Sequence, residues 1–244
     1  MPRKKKTEEE VVEEAKTSQE EESVEEESEE EEEESKKSII MLPPLMDLLG
    51  GGMGGKDKKI RTIGLIGDVT EEKASDVIYG LLALRESGVR QELKDPLDPN
   101  SEIITTCEPM EMIVSTYGGS AMDMFGIHDM MREVREDCDI ATVGVGKVMS
   151  AGVLILASGT KGKRRIGRNC RVMIHSVIGG THGPMHNLEN EMDEIRWIQE
   201  KYIETLVAET DMTKRMVKKM LDRKVNIYLT AEQAVEYGIA DEVF

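Results

Sequence analysis

From residue 60 onward the chain alternates short apolar runs with segments of helical periodicity, and this alternation constrains the fold more than any other feature. Residues 60–66, 112–115 and 140–145 are apolar runs of strand length. Apolar residues at helical spacing follow the first run over residues 70–87, and the second run as far as about residue 137. Strands that alternate with helices build βαβ units. We therefore expect an α/β fold with a mainly parallel sheet covered by helices.

Two stretches depart from this pattern. Residues 88–110 hold three prolines and little periodicity, so we expect a surface excursion there. Residues 1–38 hold seventeen Glu against seven Lys and Arg, and they carry most of the net charge of −17. Such a composition cannot bury enough surface to offset the entropy of ordering. We expect an acidic, disordered tail and glycine-rich linker over residues 1–56 and one folded domain over residues 57–244.

Composition also excludes several classes of partner. The acidic balance argues against nucleic acid, because phosphate binding needs clustered Lys and Arg. No apolar run approaches the roughly 20 residues of a membrane helix, and none follows the basic start as in a signal peptide, so we expect a cytoplasmic protein without membrane contact. The three cysteines share no CxxC spacing, so we expect reduced thiols at Cys107, Cys138 and Cys170. The sequence indicates no metal or cofactor, and it has no GxxxxGK[ST] motif for ATP.

Four motifs occur in the order and near the spacing seen in one peptidase family. They are VSTYGG at residues 114–119, GKVMSAG at 146–152, GTKGKR at 159–164 running into RVMIH at 171–175, and YLTAEQAVEYGIAD at 228–241. In these motifs the chain resembles the ClpP serine peptidases (caseinolytic protease proteolytic subunits), as a divergent member, over about residues 60–244. The resemblance implies a ClpP/crotonase-like βαβ superhelix with a protruding handle helix.

The resemblance implies that Ser150 is the nucleophile and His175 its base. Ser150 lies between a buried-type strand and the apolar helix at residues 153–157, so its hydroxyl sits near backbone N–H groups that favour developing negative charge. A serine hydroxyl is a weak nucleophile until a base accepts its proton. Taken alone, a Ser beside Ala and Gly is more often a packing residue, and a lone His at a strand end is more often structural. No role is expected for the other histidines, His128 in a helix and His182 and His186 in a loop.

An acyl-transfer site also needs two backbone donors for the oxyanion. Carried over by motif, these donors are the N–H groups of Gly118 and Ala151. The alternative for Gly118 is an ordinary turn at a strand end. The resemblance further implies that residues 118–121 and 176–180 line the substrate as strands and recognise its backbone. The substrate-binding residues expected from these segments are Gly119, Ser120, Ser176 and Gly179.

One position departs from the family. Counting back from YLTA at residues 228–231, the position of the third triad residue, an Asp in the family, holds Asn226. The amide oxygen of Asn can accept the Nδ1 proton of the histidine, but Asn brings no negative charge to stabilise the imidazolium. We therefore expect slow catalysis, or an inactive subunit. Asp222 would replace the missing acid only if its loop bends inward.

The resemblance also implies a homo-oligomer of two stacked rings, heptameric in the family, joined by the long helix after the histidine segment. The matching stretch is residues 187–209, where one apolar stripe recurs at steps of three or four residues and includes Leu188, Met192, Ile195, Tyr202 and Leu206. The alternative is a helix packed on its own domain. An AAA+ unfoldase is an implied partner. Before residue 60, however, the acidic tail and linker replace the family's axial-loop sequence.

The leading hypothesis is a serine endopeptidase that cleaves unfolded polypeptides or short peptides inside a ring assembly. The second hypothesis is a catalytically weakened or inactive ClpP-like subunit with an assembly or regulatory role, motivated by Asn226. A third is an acyl-CoA enzyme of the crotonase type, which shares the fold and a backbone oxyanion hole. A fourth is a viral maturation peptidase with a removable acidic leader.

Overall fold

The computed structural model describes residues 60–98, 100–180, 182–222 and 225–244. The predicted tail, the linker and the boundary at residues 56–57 lie outside the described residues and stay predictions. The strands are β1 (Thr62–Ile66), β2 (Val89–Leu93), β3 (Ile103–Cys107), β4 (Met110–Thr116), β5 (Ile140–Met149), β6 (Arg165–Ile166), β7 (Arg171–Ile174), β8 (Ile227–Leu229) and β9 (Glu242–Val243). The helices are α1 (Glu71–Gly88), α2 (Ala121–Val134), α3 (Ala151–Ala157), α4 (Met185–Glu209), α5 (Lys214–Leu221) and α6 (Ala231–Glu236).

One mostly parallel sheet organises the domain. Its main path runs in the order β1-β4-β5-β6-β9 with parallel pairing throughout, while β7 pairs in parallel with β5 and β8 pairs antiparallel with β7. The predicted α/β fold with a mainly parallel sheet is confirmed, and each predicted strand or helix boundary falls within a few residues of the observed one. No helix in the described ranges is both long enough and apolar enough to span a membrane.

Strand β5 changes its neighbour part-way along its length. Val143 and Gly144 pair with β6, whereas Lys147, Val148 and Met149 pair with β7. Gly146 lies between the two halves with φ +66°, a backbone conformation that residues with a Cβ rarely adopt. The bend therefore takes the end of β5 away from β6 and alongside β7.

Methionine and branched aliphatic side chains fill the core between sheet and helices. Met112 and Val114 of β4, Met131 of α2 and Leu154 of α3 are fully buried. This composition agrees with a chain that has only two Phe and one Trp but seventeen Met. Flexible Met side chains fill the irregular gaps that aromatic rings would otherwise occupy.

Helix α4 is divided by burial into two halves. Its C-terminal half packs on the domain through Tyr202, Ile203 and Leu206, which are buried. Its N-terminal half exposes Met192 and Trp197, and the edge of the Trp197 ring contacts Phe125 of α2. The helix begins at Met185, so His186 belongs to it and not to the predicted loop. The interpretation of a helix packed on its own domain is therefore confirmed for the C-terminal half, and docking of the N-terminal half against a second copy stays a prediction.

The predicted surface excursion contains a hairpin that the sequence pattern missed. Strands β2 and β3 pair antiparallel, from Val89 opposite Cys107 to Leu93 opposite Ile103. No residue of either strand is fully buried. Apolar and polar residues alternate along a strand when one of its faces is buried. Neither of these strands has a buried face, so the sequence shows no such alternation.

The prediction of three reduced thiols was wrong, because Cys107 and Cys138 form a disulfide with Cα atoms 5.0 Å apart. The sheet register brings them together. Met110 of β4 lies opposite Ile140 of β5, so the residues just before the two strands are neighbours. Only Cys170 is free, and burial raises the pKa of its thiol to about 11.

We expect Cys107→Ser to lower the free energy of unfolding in oxidising buffer by about 3–4 kcal/mol, the value for a loop closed over 31 residues. Urea titration followed by circular dichroism measures the change. In a thiol reductant the wild type loses the same constraint, so the two proteins should then unfold at nearly the same urea concentration. A difference that persists in reductant would show that the effect comes from packing and not from the crosslink.

A buried ion cluster joins helix α2 to the end of α4. The guanidinium of Arg135 donates to both carboxylate oxygens of Glu209, at 2.8 and 2.9 Å, and His128 Nε2 lies 3.3 Å from the same carboxylate. Desolvation alone would raise the pKa of Glu209, but the hydrogen bonds from His128 and Arg135 lower it to about 2. His128, for which the sequence indicated no role, therefore belongs to this structural cluster.

The lowered pKa of Glu209 predicts how stability depends on pH. Its contribution is fully present above the ordinary value of 4.5 and is lost as pH falls toward 2. At pH 7 we expect Glu209→Gln to cost about 1.5–3 kcal/mol of unfolding free energy, and we expect this cost to shrink at pH 3. Urea titrations at both pH values test this. Asp193→Asn, which removes an exposed carboxylate of α4, is the control and should change stability little at either pH. A cost for Glu209→Gln that is equal at both pH values would contradict the prediction.

Candidate active site

Ser150 lies between the end of β5 and the start of α3, in a backbone conformation that few residues other than glycine adopt. Its φ is +52° and its ψ −119°, and no other residue with a Cβ in the described ranges has a positive φ. Two hydrogen bonds hold this conformation. The Ser150 N–H donates to the carbonyl of Met173 on β7 at 2.8 Å, and the hydroxyl of Tyr202 on α4 donates to the Ser150 carbonyl at 3.2 Å. Backbone strain of this kind clusters at functional sites.

The hydroxyl of Ser150 is not used to cap its own helix. Thr70, Ser120, Thr213 and Thr230 each accept a hydrogen bond from a backbone N–H in the first turn of the helix they begin, whereas Ser150 makes no such bond. Its Oγ has no hydrogen-bond partner among the residues that the structure describes. The side chain instead lines a cavity of about 420 Å³. Ser150 Oγ is therefore available for chemistry.

His175 follows directly after β7 and lines the same cavity as Ser150. Its Nδ1 lies 2.5 Å from the carbonyl oxygen of Ser176. A carbonyl can only accept a hydrogen bond, so this contact assigns the proton to Nδ1 and leaves Nε2 with its lone pair. That is the tautomer a general base needs. No hydrogen bond joins His175 to Ser150 in the structure, and such bonds are often long before a substrate binds.

The two predicted oxyanion donors differ in availability. The N–H of Gly118 donates to the buried Thr116 Oγ1 at 2.9 Å, and Gly118 is not among the cavity residues. The next glycine, Gly119, lines the cavity, and its N–H has no acceptor among the described residues. Ala151 is the first residue of α3, where an N–H has no acceptor within the helix, and it also lines the cavity. The free pair in this structure is therefore Gly119 with Ala151.

Asn226 is close to His175 along the sheet but is not bonded to it. Ile174 of β7 lies opposite Ile227 of β8, so the next pair in the antiparallel register would be His175 with Asn226. Asn226 is exposed, and no hydrogen bond between it and the His175 ring is found among the described residues. Asp222 ends helix α5 and is also exposed. Neither predicted orienting residue reaches the histidine in this structure.

The cavity has an apolar side. Its lining includes Ser120, Met124, Val177, Ile178 and Ile198 beside the serine and the histidine. Of the predicted substrate-binding residues, Gly119 and Ser120 line the cavity. Ser176 and Gly179 do not line the cavity. The Ser176 carbonyl faces the His175 ring, and Gly179 packs against Ile195 of α4. Among the described residues no group of three His, Cys, Asp or Glu side chains could hold a metal ion.

Comparison with known proteins decides the family. The family model for Clp protease matches residues 101–244. The ATP-dependent Clp protease proteolytic subunit 1 of Prochlorococcus marinus (strain MIT 9312) is 35% identical over 183 residues, which cover 75% of this chain and 83% of the relative. The proteolytic subunit 2 of Corynebacterium jeikeium is 36% identical over 185 residues, covering 75% and 78%. The proteolytic subunit 3 of Nocardia farcinica is 36% identical over 178 residues, covering 72% and 71%.

The chain belongs to the Clp protease family. As a divergent family member it keeps the fold, while Asn226 stands where the resemblance implies an acid. The family matches cover both the Ser150 and the His175 segments, so the cavity that these two residues line is the candidate active site.

The structure adds residues of the candidate site that sequence reasoning missed. Thr116 holds the N–H of Gly118, and Tyr202 holds the carbonyl of Ser150. Gln199 of α4 accepts the N–H of Val177 at 3.2 Å and so fixes the segment after the histidine. Tyr202 and Gln199 act through hydrogen bonds to residues that are 52 and 22 positions away, and local sequence pattern carries no signal for such contacts. The Thr116 bond spans only two residues but depends on the turn at Gly118, which has a positive φ.

We expect Gly118→Ala to disrupt the candidate site. Gly118 has φ +107°, and a Cβ there would lie 2.5 Å from Ser150 Cβ. The strain should cost about 1–3 kcal/mol of stability. Displacement of Ser150 should slow its labelling by a fluorophosphonate about 100-fold.

Urea titration and timed labelling measure these two effects. Gly180→Ala is the matched control, because a Cβ at Gly180 would meet nothing within 4 Å. The prediction is wrong if both variants behave alike.

Proposed function

We propose that this chain is a serine endopeptidase in which Ser150 is the nucleophile and His175 the general base. The observation that carries the proposal is the backbone of Ser150, which has a positive φ, is held by two hydrogen bonds, and directs an uncommitted hydroxyl into a cavity shared with His175. A packing serine would need neither the strained backbone nor the free hydroxyl. The family relationship gives independent support, since the relatives are named as proteolytic subunits.

Acylation begins when His175 Nε2 accepts the proton of Ser150 Oγ. The oxygen attacks the scissile carbonyl carbon, and the carbonyl oxygen becomes an oxyanion. We propose that the N–H groups of Gly119 and Ala151 stabilise this oxyanion, with Gly119 in the place first predicted for Gly118. Loss of one such donor lowers turnover by about 10²–10³ in other serine peptidases. Protonated His175 then gives its proton to the leaving amine, and the acyl-enzyme remains.

Deacylation repeats these steps with water. His175 Nε2 accepts a proton from water, the hydroxide attacks the acyl carbon, and Ser150 Oγ leaves with the proton from His175. Throughout, the Ser176 carbonyl keeps the Nδ1 proton in place. That carbonyl has only a partial charge, so it stabilises the imidazolium less than a carboxylate would.

The apolar side of the cavity, with Met124, Val177 and Ile198, favours substrates that have an apolar residue on the acyl side of the scissile bond. We propose unfolded polypeptides and short peptides as substrates, because an extended backbone can pair with residues 118–121 and 176–180 as a strand.

We further propose a homo-oligomer of stacked rings, with heptamers by resemblance, and a separate AAA+ unfoldase as partner. The relatives are named as ATP-dependent and as subunits. The exposed N-terminal half of α4, with Met192 and Trp197, offers an apolar surface for a second copy. Since no ATP-binding motif was found in this sequence, nucleotide hydrolysis falls to the partner.

One observation favours a second candidate, a weakened or inactive subunit with an assembly or regulatory role. Asn226 is exposed and not bonded to His175, and the Ser176 carbonyl accepts the hydrogen bond from His175 Nδ1 instead. In trypsin-type enzymes the change of the triad Asp to Asn lowers turnover about 10⁴-fold.

Peptidase assays and fluorophosphonate labelling of the assembled protein separate the two candidates. We expect Ser150→Ala to abolish both hydrolysis and labelling. We expect Asn226→Asp to raise kcat by between about tenfold and 10⁴-fold, because it adds the missing charge beside the imidazolium. Asp222→Asn is the matched control for the alternative acid and should leave kcat unchanged.

A wild type that is neither labelled nor active, alongside an active Asn226→Asp, would identify an inactive subunit with an intact scaffold. If the wild type, Ser150→Ala and Asn226→Asp all stay at background, the peptidase proposal fails.

A further inference from the structure

We propose that Lys147, with Arg171 beside it, binds a carboxylate of the substrate on the leaving-group side of the scissile bond. This inference rests on the proposed peptidase function and assigns a specificity to it. Its starting point is a contact at the cavity wall, where the Lys147 ammonium lies 4.5 Å from the centroid of the Tyr117 ring. Tyr117 lines the cavity and is 63% exposed. A positive charge is thus held against an aromatic wall of the active site.

Sheet register places a second cation beside the first. Lys147 of β5 pairs in parallel with Arg171 of β7, and their following neighbours, Val148 and Val172, are both fully buried. Successive side chains of a strand point to opposite faces. Lys147 and Arg171 therefore share the face that is turned away from the core.

Neither cation has a carboxylate partner in the part of the chain that the structure describes. No Asp or Glu oxygen there lies within 4.0 Å of the Lys147 ammonium or the Arg171 guanidinium. Two unpaired positive charges at one position attract an anion. The Tyr117 ring covers one side of the Lys147 ammonium, and its remaining donors are free for a ligand.

The position of this pair relative to Ser150 defines which part of the substrate it meets. The apolar side of the cavity, with Met124, Val177 and Ile198, takes the acyl side of the peptide. Tyr117 also lines the cavity, whereas Lys147 is not part of its lining. We therefore assign Tyr117 and Lys147 to the other side of Ser150, where the leaving group lies. A peptide that passes over Ser150 from the apolar side then places its leaving-group residues over Tyr117 and Lys147.

The ligand chemistry is a carboxylate, and a peptide offers two sources of it. One is an acidic side chain just after the scissile bond, and the other is the α-carboxylate of a short peptide's C-terminus. Both would pair with the ammonium in the same place. Either source would make the enzyme prefer peptides with a carboxylate at this position. The net negative charge of the chain alone would repel such peptides.

Matched peptides test the proposal. Two quenched-fluorescent peptides share an apolar residue before the scissile bond and carry Glu or Gln after it. A second pair ends one residue after the scissile bond, as a free carboxylate or as an amide. We expect the wild type to prefer the carboxylate member of at least one pair by about fivefold in kcat/KM, a factor typical of a partly exposed ion pair. Mass spectrometry of the products confirms the cleavage position.

The charge variants give the decisive comparison. Lys147→Met should bring the ratio of the two kcat/KM values close to one, and Arg171→Gln should reduce it. Lys147→Glu should invert the preference in favour of a peptide with Lys after the scissile bond. Lys161→Met is the matched control, since Lys161 is an exposed lysine in the turn after α3, and it should leave the preference unchanged. The preference should also weaken as salt is added.

The two pairs distinguish the sources of the carboxylate, and a preference in either pair supports the proposal. Equal cleavage within both pairs by the wild type and by Lys147→Glu overturns it.

Failure of the peptidase function is recognised separately, because the wild type would then cleave none of the peptides. In that case the same peptides are tested for binding to Ser150→Ala, with Kd values measured by fluorescence anisotropy. These Kd values show whether binding favours the carboxylate member of each pair. A carboxylate preference that Lys147→Glu inverts supports the proposal, and equal Kd values overturn it.

Discussion

The bend of β5 at Gly146 is the constraint on which the rest of the site depends. Before it, the strand belongs to the main path of the sheet and pairs with β6; after it, the strand pairs with β7. This change of neighbour brings Ser150 next to β7, the strand that His175 directly follows. A side chain at Gly146 would resist the positive φ that the bend requires. Nucleophile and base thus come from separate strands that meet only because one strand turns.

The fold was largely predictable from the sequence because its signals are local. Buried strands such as β4 and β5 are apolar runs of strand length, and α1 has both an apolar stripe and a Thr cap. The β2–β3 hairpin was missed because neither face is buried. The Cys107–Cys138 disulfide was missed because it depends on which strands are neighbours, and spacing along the chain does not carry that information.

The site was predictable to the level of motifs but not of single hydrogen bonds. The motif placed one oxyanion donor at Gly118, and only the contact from Gly118 to Thr116 shows that this N–H is already engaged. For the third triad position, the motif pointed to Asn226, and the sheet register brings it near His175, yet the histidine Nδ1 lies against the Ser176 carbonyl instead. Both outcomes depend on backbone geometry within one or two residues. Side-chain identity does not specify geometry at that scale.

The hydrogen bond from Ser150 N–H to Met173 O has a consequence for how the two residues of the candidate dyad are held. It joins the Ser150 backbone directly to β7, the strand that His175 follows. The segment after His175 is held differently, through one Gln199 contact and the packing of Gly179 on α4. Displacement of the N-terminal half of α4 would therefore shift this segment and the carbonyl that orients the histidine. Ser150 contacts the same helix through Tyr202, which lies in the half that packs on the domain. The orientation of the base and the position of the nucleophile thus depend on different parts of one helix.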